Sequence, residues 1–351
     1  MCSNSSRSDV GGVTRRAAML GALAAPAAAL AASGARRAEA QSAAGPTADG
    51  GAAAWPARPV RIIVPFGPGG AADTATRAFG ARMSETLRQQ IVVENRTGGN
   101  SVIAGSAALQ APRDGYTFLL NAAQHLINPV LLADLPFDYS TSFVPVSQLV
   151  YFPQVIAVRR DFPAVTIEEF VAYARANPGR ITYGTPPAAG MAHMAGEVLM
   201  RELGFRMAHA PYRLATDAAR DVGSGNLDAV LLTTSTIRPI IQAGRARVLA
   251  VTSAQRVAAY PDAPAIAERL LPGFEMNDWM GLFAPSGVPA PIVERMGAAV
   301  AEAARDAEVR ARLEPLGAEL VGSTPEEFAR FLERQREVLT RVIREANIRL
   351  G

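Results

Sequence analysis

Residues 62–77, IIVPFGPGGAADTATR, run an apolar strand into a glycine-rich turn and out again as a helix that starts near Asp73. Such a unit cannot close back on itself as a hairpin. Its helix must cross to a parallel strand, which restricts the chain to α/β architectures. The alternation continues: strands are expected over 58–66, 90–94 and 116–120, with helices over 73–89 and 101–111 between them. Two apolar runs, 144–152 and 154–158, flank Pro153, which reads as a passage between domains.

A second unit repeats this logic. Thr166-Ile167-Glu168-Glu169 is a capping box that opens a helix to about residue 176. Strands are expected over 181–184, 207–212, 227–232 and 247–252, and helices over 191–203, 216–222 and 237–243. Residues 281–285 read as the return crossing, followed by helices over 290–306 and 307–313. Thr324-Pro325-Glu326-Glu327 caps a final helix whose stripe of Phe328, Phe331, Leu332, Val338, Leu339 and Val342 is expected to pack on the first domain. The expected first domain is thus 55–152 with 284–351, and the second is 153–283. In open α/β sheets ligands bind outside the carboxyl ends of the strands. With two crossings those ends can face each other across a cleft that closes by a hinge.

Arg15-Arg16 precedes an Ala/Leu-rich run to about residue 32, too short for a stable span, and Ala38-Glu39-Ala40 offers an A-x-A cleavage site. Residues 1–40 therefore read as a twin-arginine-type export signal, with Gln41 as the mature N-terminus in the periplasm. Residues 41–54 read as a disordered, Ala/Gly-rich leader. Removing five arginines and two acids with the signal leaves 30 basic and 30 acidic residues, so the charge expected of a nucleic-acid binder is absent. The single cysteine, Cys2, leaves with the signal, and a mature chain of this length can bury a core without disulfides.

The chain contains no lysine, which excludes a Schiff-base lysine, a P-loop lysine and a Ser-Lys pair. Its three histidines, His125, His193 and His209, lack metal-ligand spacing, and no G-x-S-x-G elbow is present. No catalytic residue, metal or cofactor is expected. One enzymatic alternative remains in the sequence. Gly67, Gly69 and Ala72 fit the G-x-G-x-x-G/A turn of an NAD(P)-dependent oxidoreductase, and Glu94 stands where a ribose-binding acid would. Against it, Pro65 and Pro68 lack backbone donors, and Asp73 places negative charge where a pyrophosphate would lie. The turn suits a smaller anion better: Gly69 and Gly70 bring backbone N–H groups close, and the helix start adds about half a positive charge.

The remaining site candidates each carry two readings. Asp73 caps its helix or touches ligand, and His193 is a polar core residue or a ligand contact. Tyr212 and Arg213 end a strand at the cleft side; Arg213 could pair with a carboxylate or stay solvated. Asn121, Thr233 and Thr234 follow strands and offer hydrogen bonds or turn chemistry. Asp278 is a hinge residue or the partner of a ligand amine.

The ordered set Pro65-Phe66, Pro68-Gly69-Gly70, Asp73, Glu94-Asn95-Arg96, Gly98-Gly99-Asn100 and Asp114-Gly115-Tyr116-Thr117 resembles the substrate-binding proteins of tripartite tricarboxylate transporters, the Bug-type receptors. The resemblance continues through Asn128-Pro129, Tyr183-Gly184, His193 with Glu197, Pro211-Tyr212, Trp279 with Gly281-Leu282, and Gly322-Ser323-Thr324-Pro325, over nearly the whole mature chain. It implies a non-catalytic periplasmic receptor of Venus-flytrap fold. Such a receptor captures small organic carboxylates for a membrane permease. A receptor feeding a membrane sensor is the alternative within the same class, and a monomer is expected. Taken together with the residue readings above, the expected ligand contacts are Phe66, Gly69, Gly70, Asp73, Asn121, Thr185, Gly190, His193, Tyr212, Arg213, Thr234 and Asp278. One stretch departs from the family pattern. Thr185-Pro186-Pro187-Ala188-Ala189-Gly190 replaces a Gly-Asn-Gly-hydroxyl loop before the histidine, losing two N–H donors. An aromatic or branched monocarboxylate is therefore expected over a tricarboxylate, whose further charges would be buried without donors.

Replacing Arg15 and Arg16 together with lysine is expected to leave precursor in the cytoplasm; fractionation that finds the double variant exported normally through a twin-arginine-only route would refute the export assignment.

Overall fold

The computed structural model describes residues 55–186, 190–346 and 348. The expected signal, the leader and the segment Pro187-Ala188-Ala189 lie outside the described residues. In chain order the strands are β1 (Val60–Val64), β2 (Ile91–Asn95), β3 (Thr117–Asn121), β4 (Phe143–Phe152), β5 (Gln154–Arg159), β6 (Thr182–Thr185), β7 (Ala208–Pro211), β8 (Ala229–Thr233), β9 (Ala246–Val251), β10 (Asp278–Pro285) and β11 (Glu319–Leu320). They form a six-stranded sheet of order β11-β4-β10-β3-β1-β2 and a five-stranded sheet of order β7-β6-β8-β5-β9.

The two sheets share one plan. Without β11, the first reads β2-β1-β3-β10-β4 and the second β7-β6-β8-β5-β9. In each, three strands run parallel, a fourth is antiparallel to the third, and a fifth pairs antiparallel with the fourth. The antiparallel strand in each sheet is the one that has just arrived from the other. β4 ends at Phe152 and β5 begins at Gln154, so a single residue, Pro153, makes the first crossing. Proline is tolerated there because its backbone owes neither ladder a donor. The return runs between Val251 and Asp278. The expected boundary at 283/284 falls inside β10, which is paired with β4 from Asp278 to Pro285 and with β3 from Gly281 to Phe283. By sheet membership, all of β10 belongs to the first lobe.

Most expected helices form where the apolar period placed them. Ala71–Leu87 buries Ala75, Ala78, Phe79, Met83 and Leu87, though it starts two residues before Asp73. Ile167–Ala176 and Pro325–Glu345 open on reciprocal capping boxes, Thr166 with Glu169 and Thr324 with Glu327. The helix Gln124–Leu131 was not legible: it has eight residues, contains Pro129 and carries no cap signal.

The terminal helix goes further than its stripe implied. Phe328, Phe331 and Leu332 join a buried cluster that also holds Ile63 and Leu119 of the first sheet and Ile156 and Leu231 of the second. Near its end, Arg341 Nη2 lies 3.2 Å from Glu202 Oε1, and Glu345 pairs with Arg201. Midway, Gln335 Nε2 donates to the carbonyl of Glu275 on the return segment at 2.9 Å. One helix thus touches the first lobe, a crossing and the second lobe.

At Gly281 the helix packs tightly on the sheet, since a Cβ there would collide with the Phe328 ring. Gly281→Ala is expected to destabilise the fold by about 1–3 kcal/mol through overpacking; urea unfolding with an unchanged midpoint would show that the ring can move aside freely.

Candidate functional site

The register of the strands brings the carboxyl ends of both sheets to the first crossing. In the first sheet, Asp278 of β10 sits opposite Phe152 and Gly281 opposite Asn121. In the second, Gln154 of β5 sits opposite Thr233 at the end of β8. With only Pro153 between Phe152 and Gln154, the ends of β1, β3 and β4 are held beside those of β6 and β8.

The first-lobe turn follows β1. Gly67 to Gly70 are exposed, and Gly69 takes φ +78°, a conformation that glycine adopts without strain. Gly70 caps the helix Ala71–Leu87 with φ −73° and ψ 171°. Asp73 is buried and fully engaged. Its Oδ2 accepts the Gly69 N–H at 2.9 Å, Arg77 Nε lies 3.0 Å from both oxygens, and Asn95 Nδ2 donates to Oδ1 at 2.9 Å. Asn95 Nδ2 also reaches the Phe66 carbonyl at 3.0 Å. Burial pushes the Asp73 carboxyl up, but the hydrogen bonds from Arg77, Gly69 and Asn95 and the charge of Arg77 outweigh it and hold it at about 2. Asp73 therefore fixes the turn, and the Gly69 N–H is spent on it. The groups left for an anion are the N–H of Gly70 and those of Ala71, Ala72 and Asp73, which precede the first helical bond from Thr74 N–H to Gly70. Glu94, the ribose-binding acid of the dinucleotide alternative, is paired with Arg61 at 3.0 Å and with Arg96.

In the second lobe, the helix start after β6 repeats the cap geometry of the first. Gly190 caps Met191–Glu202 with φ −78° and ψ 171°, close to the values at Gly70. His193 stands three residues on, as Asp73 does from Gly70. Its ring stacks on His209, with centroids 4.0 Å apart at 14°, and its Nε2 lies 3.4 Å from Glu197 Oε1. The Tyr183 hydroxyl reaches the same Glu197 oxygen at 3.4 Å. Thr185, fully buried at the end of β6, has its Oγ1 2.8 Å from His209 Nε2. Burial, and then the charge of His193, lower the His209 ring to about 4 against the opposing pull of Glu197. Sequence reasoning passed over His209. Its only signal was strand alternation, which sets it beside Tyr183 in the pairing of β6 with β7.

The other candidates are placed differently. Asn121 is fully buried, with its Oδ1 accepting the Ala122 N–H and its Nδ2 without a partner. The Tyr212 hydroxyl donates to Asp221 at 2.8 Å, and its N–H to Thr185 O at 2.9 Å. Tyr212 therefore braces its own lobe through Asp221. Arg213 is exposed. Thr234 is buried at the crossing: its N–H donates to Pro153 O at 3.0 Å, and a Cβ at Gly317 would lie 2.6 Å from its Oγ1. Asp278 sits beside Gln154 at the same crossing. Burial pushes its carboxyl up to about 6 against the pull of the Gln154 amide, although the residue keeps an opening to solvent. A concavity of about 630 Å³ lined by Arg175, Met200, Phe205 and Val342 lies at the far end of Met191–Glu202 from Gly190, away from both turns. Among the described residues, no group of three or more His, Cys, Asp or Glu could hold a metal.

Asp73→Asn is expected to destabilise the protein at pH 7 by roughly 1.5–3 kcal/mol, the scale of hydrogen bonds to a charged group. The folded carboxyl lies below its unfolded value of 3.8, so its contribution is present above that pH and fades as pH falls toward 2. Urea unfolding should show the gap between variant and wild type narrowing over that window; a constant gap would mean that the charge of Asp73 does not hold the turn.

Comparison with known proteins agrees with this layout. Residues 75–348 match the tripartite tricarboxylate transporter family receptor. The UPF0065 protein in the tcbD-tcbE intergenic region of Pseudomonas sp. (strain P51) is 34% identical over 285 residues, covering 81% of this chain and 85% of that protein. A TctC solute-binding protein from Polaromonas, solved with no ligand, superposes with a TM-score of 0.77 at 26% identity, over 83% of this chain and 99% of that one. Rpa4515 of R. palustris, solved with adipate, superposes with a TM-score of 0.67 at 30% identity, over 84% and 99%. Two α/β lobes with their strand ends set face to face, matched along the chain to these receptors, place this protein in the tripartite tricarboxylate transporter receptor family of periplasmic solute-binding proteins.

Proposed function

We propose that this protein captures a small organic carboxylate in the cleft between its two lobes, as a monomer in the periplasm after cleavage at Ala40/Gln41, and delivers it to a tripartite-type membrane permease. The observation that carries this reading is the pair of glycine-capped helix starts, Gly70 and Gly190, with matching backbone angles, at strand ends that the Pro153 crossing holds together. Each presents N–H groups that no helical bond uses, together with the positive end of a helix dipole. A relative at 30% identity binds adipate, which supports the carboxylate class. Nothing in the turn favours a dinucleotide: Asp73 and Glu94 are each committed to arginine partners.

The two turns are unequal in donors. The first keeps the N–H groups of Gly70 to Asp73, whereas Pro186 and Pro187 have none to offer in the second. One carboxylate is therefore assigned to the first-lobe turn, near Phe66, with the orphaned Asn121 amide as a further donor. The second lobe then faces a less polar part of the ligand, which favours aromatic or branched monocarboxylates. Hinge closure about Pro153 and the return before Asp278 would bury the ligand. The test is a thermal-shift screen of mono-, di- and tricarboxylates on the mature protein. A ligand at a hundred times its dissociation constant stabilises by about 2.7 kcal/mol, so an apolar monocarboxylate should raise the melting temperature clearly. Strong stabilisation by citrate with none by benzoate or branched acids would overturn the assignment of the second lobe. No stabilisation by any carboxylate would overturn the receptor reading itself.

A further inference from the structure

The turn after β1 has little of its own to hold its shape: Gly67, Gly69 and Gly70 carry no side chains, and the backbone from Gly67 to Gly70 is exposed. Its rigidity has to come from a neighbour, and Asn95, the last residue of β2, supplies it. Asn95 is paired in register with Val64 at the end of β1, and the next N–H, that of Arg96, donates to the Val64 carbonyl at 2.8 Å, so its backbone is part of the sheet. From that fixed point the side-chain amide spans the turn. Nδ2 donates to the Phe66 carbonyl at 3.0 Å, where the turn begins, and to Asp73 Oδ1 at 2.9 Å, in the first turn of the helix that follows. Oδ1 accepts from Arg77 Nη2 at 3.1 Å. With the Gly69 N–H on Asp73 Oδ2, these bonds close a ring through Phe66, Asn95, Asp73 and Gly69.

We infer that Asn95 is the positioning residue of the first-lobe turn: its amide holds the N–H groups of Gly70 to Asp73 in the geometry that grips a carboxylate, without itself touching the ligand. The chemistry of its partners leaves few residue types able to do this. Two acceptors, a carbonyl and a carboxylate, and one donor, a guanidinium, must all be met by one short side chain. An amide has the N–H donors and the carbonyl for that set, and it is neutral. A carboxylate in its place would lack the donors and set a second negative charge against Asp73. Neutrality also matters to an anionic ligand. Asp73 brings negative charge into the first turn of the helix, which by itself would offset the positive helix end. Arg77, bonded to both Asp73 oxygens and to Asn95 Oδ1, balances that charge, so the ring as a whole is neutral and the helix end keeps its attraction. Glu94, the other ionisable residue of β2, points to the opposite face of the strand and is paired with Arg61 and Arg96. What Asn95 contributes is preorganisation: donors already in place need not be ordered when the ligand arrives. The inference rests on the carboxylate-receptor reading for its ligand but not for the hold of Asn95 on the turn.

Amide hydrogen exchange, followed by NMR on the ligand-free protein, reads the hold directly. In Asn95→Leu and in Asn95→Asp the Gly69 N–H should exchange faster than in wild type, while the amides of β8 in the other lobe keep their wild-type rates. Calorimetric titration of adipate and benzoate at pH 8 and pH 5.5 then reads the grip. Asn95→Leu should weaken the more tightly bound probe about tenfold at both pH values, the scale of the ordering cost that returns when the turn is released. Asn95→Asp should weaken it more at pH 8 than at pH 5.5, each compared with wild type at the same pH, because a proton taken up between the two carboxylates restores one donor. Four results would each overturn the positioning role: wild-type Gly69 exchange in either variant, a rise in exchange shared by β8, wild-type affinity in either variant, or an Asn95→Asp deficit that does not narrow on acidification. If neither probe binds wild type at either pH, the receptor reading fails, and Gly69 exchange still decides whether Asn95 holds the turn.

Discussion

The layout of this protein hangs on a crossing one residue long. Because Phe152 closes one sheet and Gln154 opens the other, the strand ends cannot drift apart, and the backbone of Pro153 is itself tied to the second lobe by the Thr234 N–H. A longer linker would let two α/β units tumble independently, each presenting its own helix starts to solvent. With a single proline between them, the strand ends that lead to the helix starts at Gly70 and Gly190 are tied to one crossing. The return segment completes the constraint, with Thr252 Oγ1 donating to Asn277 Oδ1 at 3.0 Å and accepting the Gln154 N–H at 3.1 Å.

Within that frame the lobes have the same backbone and different chemistry. The first-lobe turn is held by an ionised carboxylate with a guanidinium and an amide around it, an arrangement that persists across the ordinary pH range. The second lobe brings together two stacked imidazoles and a hydroxyl. Asp73, which reads as a helix cap or a ligand contact, stands behind the turn: its carboxylate is turned inward onto Gly69, Arg77 and Asn95 and orders the loop.

The core follows the same economy. One hydrophobic cluster runs through both lobes, and the terminal helix contributes to it while its last turn forms ion pairs with Arg201 and Glu202. Trp279 and Phe283, on the strand that returns from the second lobe, pack against Phe328, and all three are fully buried, so the crossing is anchored in the core. His125 belongs here, stacked on Phe283 at 4.0 Å and pushed down to about 3 chiefly by burial. It is a core residue and takes no part in the site.

The alternation of strands and helices, the glycine turn, the two capping boxes and the passage at Pro153 were legible in the sequence because each rests on local chemistry: side-chain periodicity, a donor missing from proline, a hydroxyl three residues from a glutamate. The helix Gln124–Leu131 was not, since it is short, uncapped and interrupted by proline, and forms against the terminal helix packed over it. Nor could sequence say that all of β10 belongs to the first sheet, because an isolated apolar run does not reveal its hydrogen-bond partners. At the site, the sequence by itself determined which residues stand at the turns, and it named Asp73, Gly190 and His193. Only the tertiary structure decided their roles. Asp73 faces inward because Asn95 and Arg77 meet it there, Tyr212 is spent on Asp221, and His209 meets Thr185 from a strand two dozen residues on. Arg77 and Asp221 are near in sequence, but Asn95 and His209 are distant and become adjacent only through strand pairing, and a hydrogen bond depends on adjacency in space.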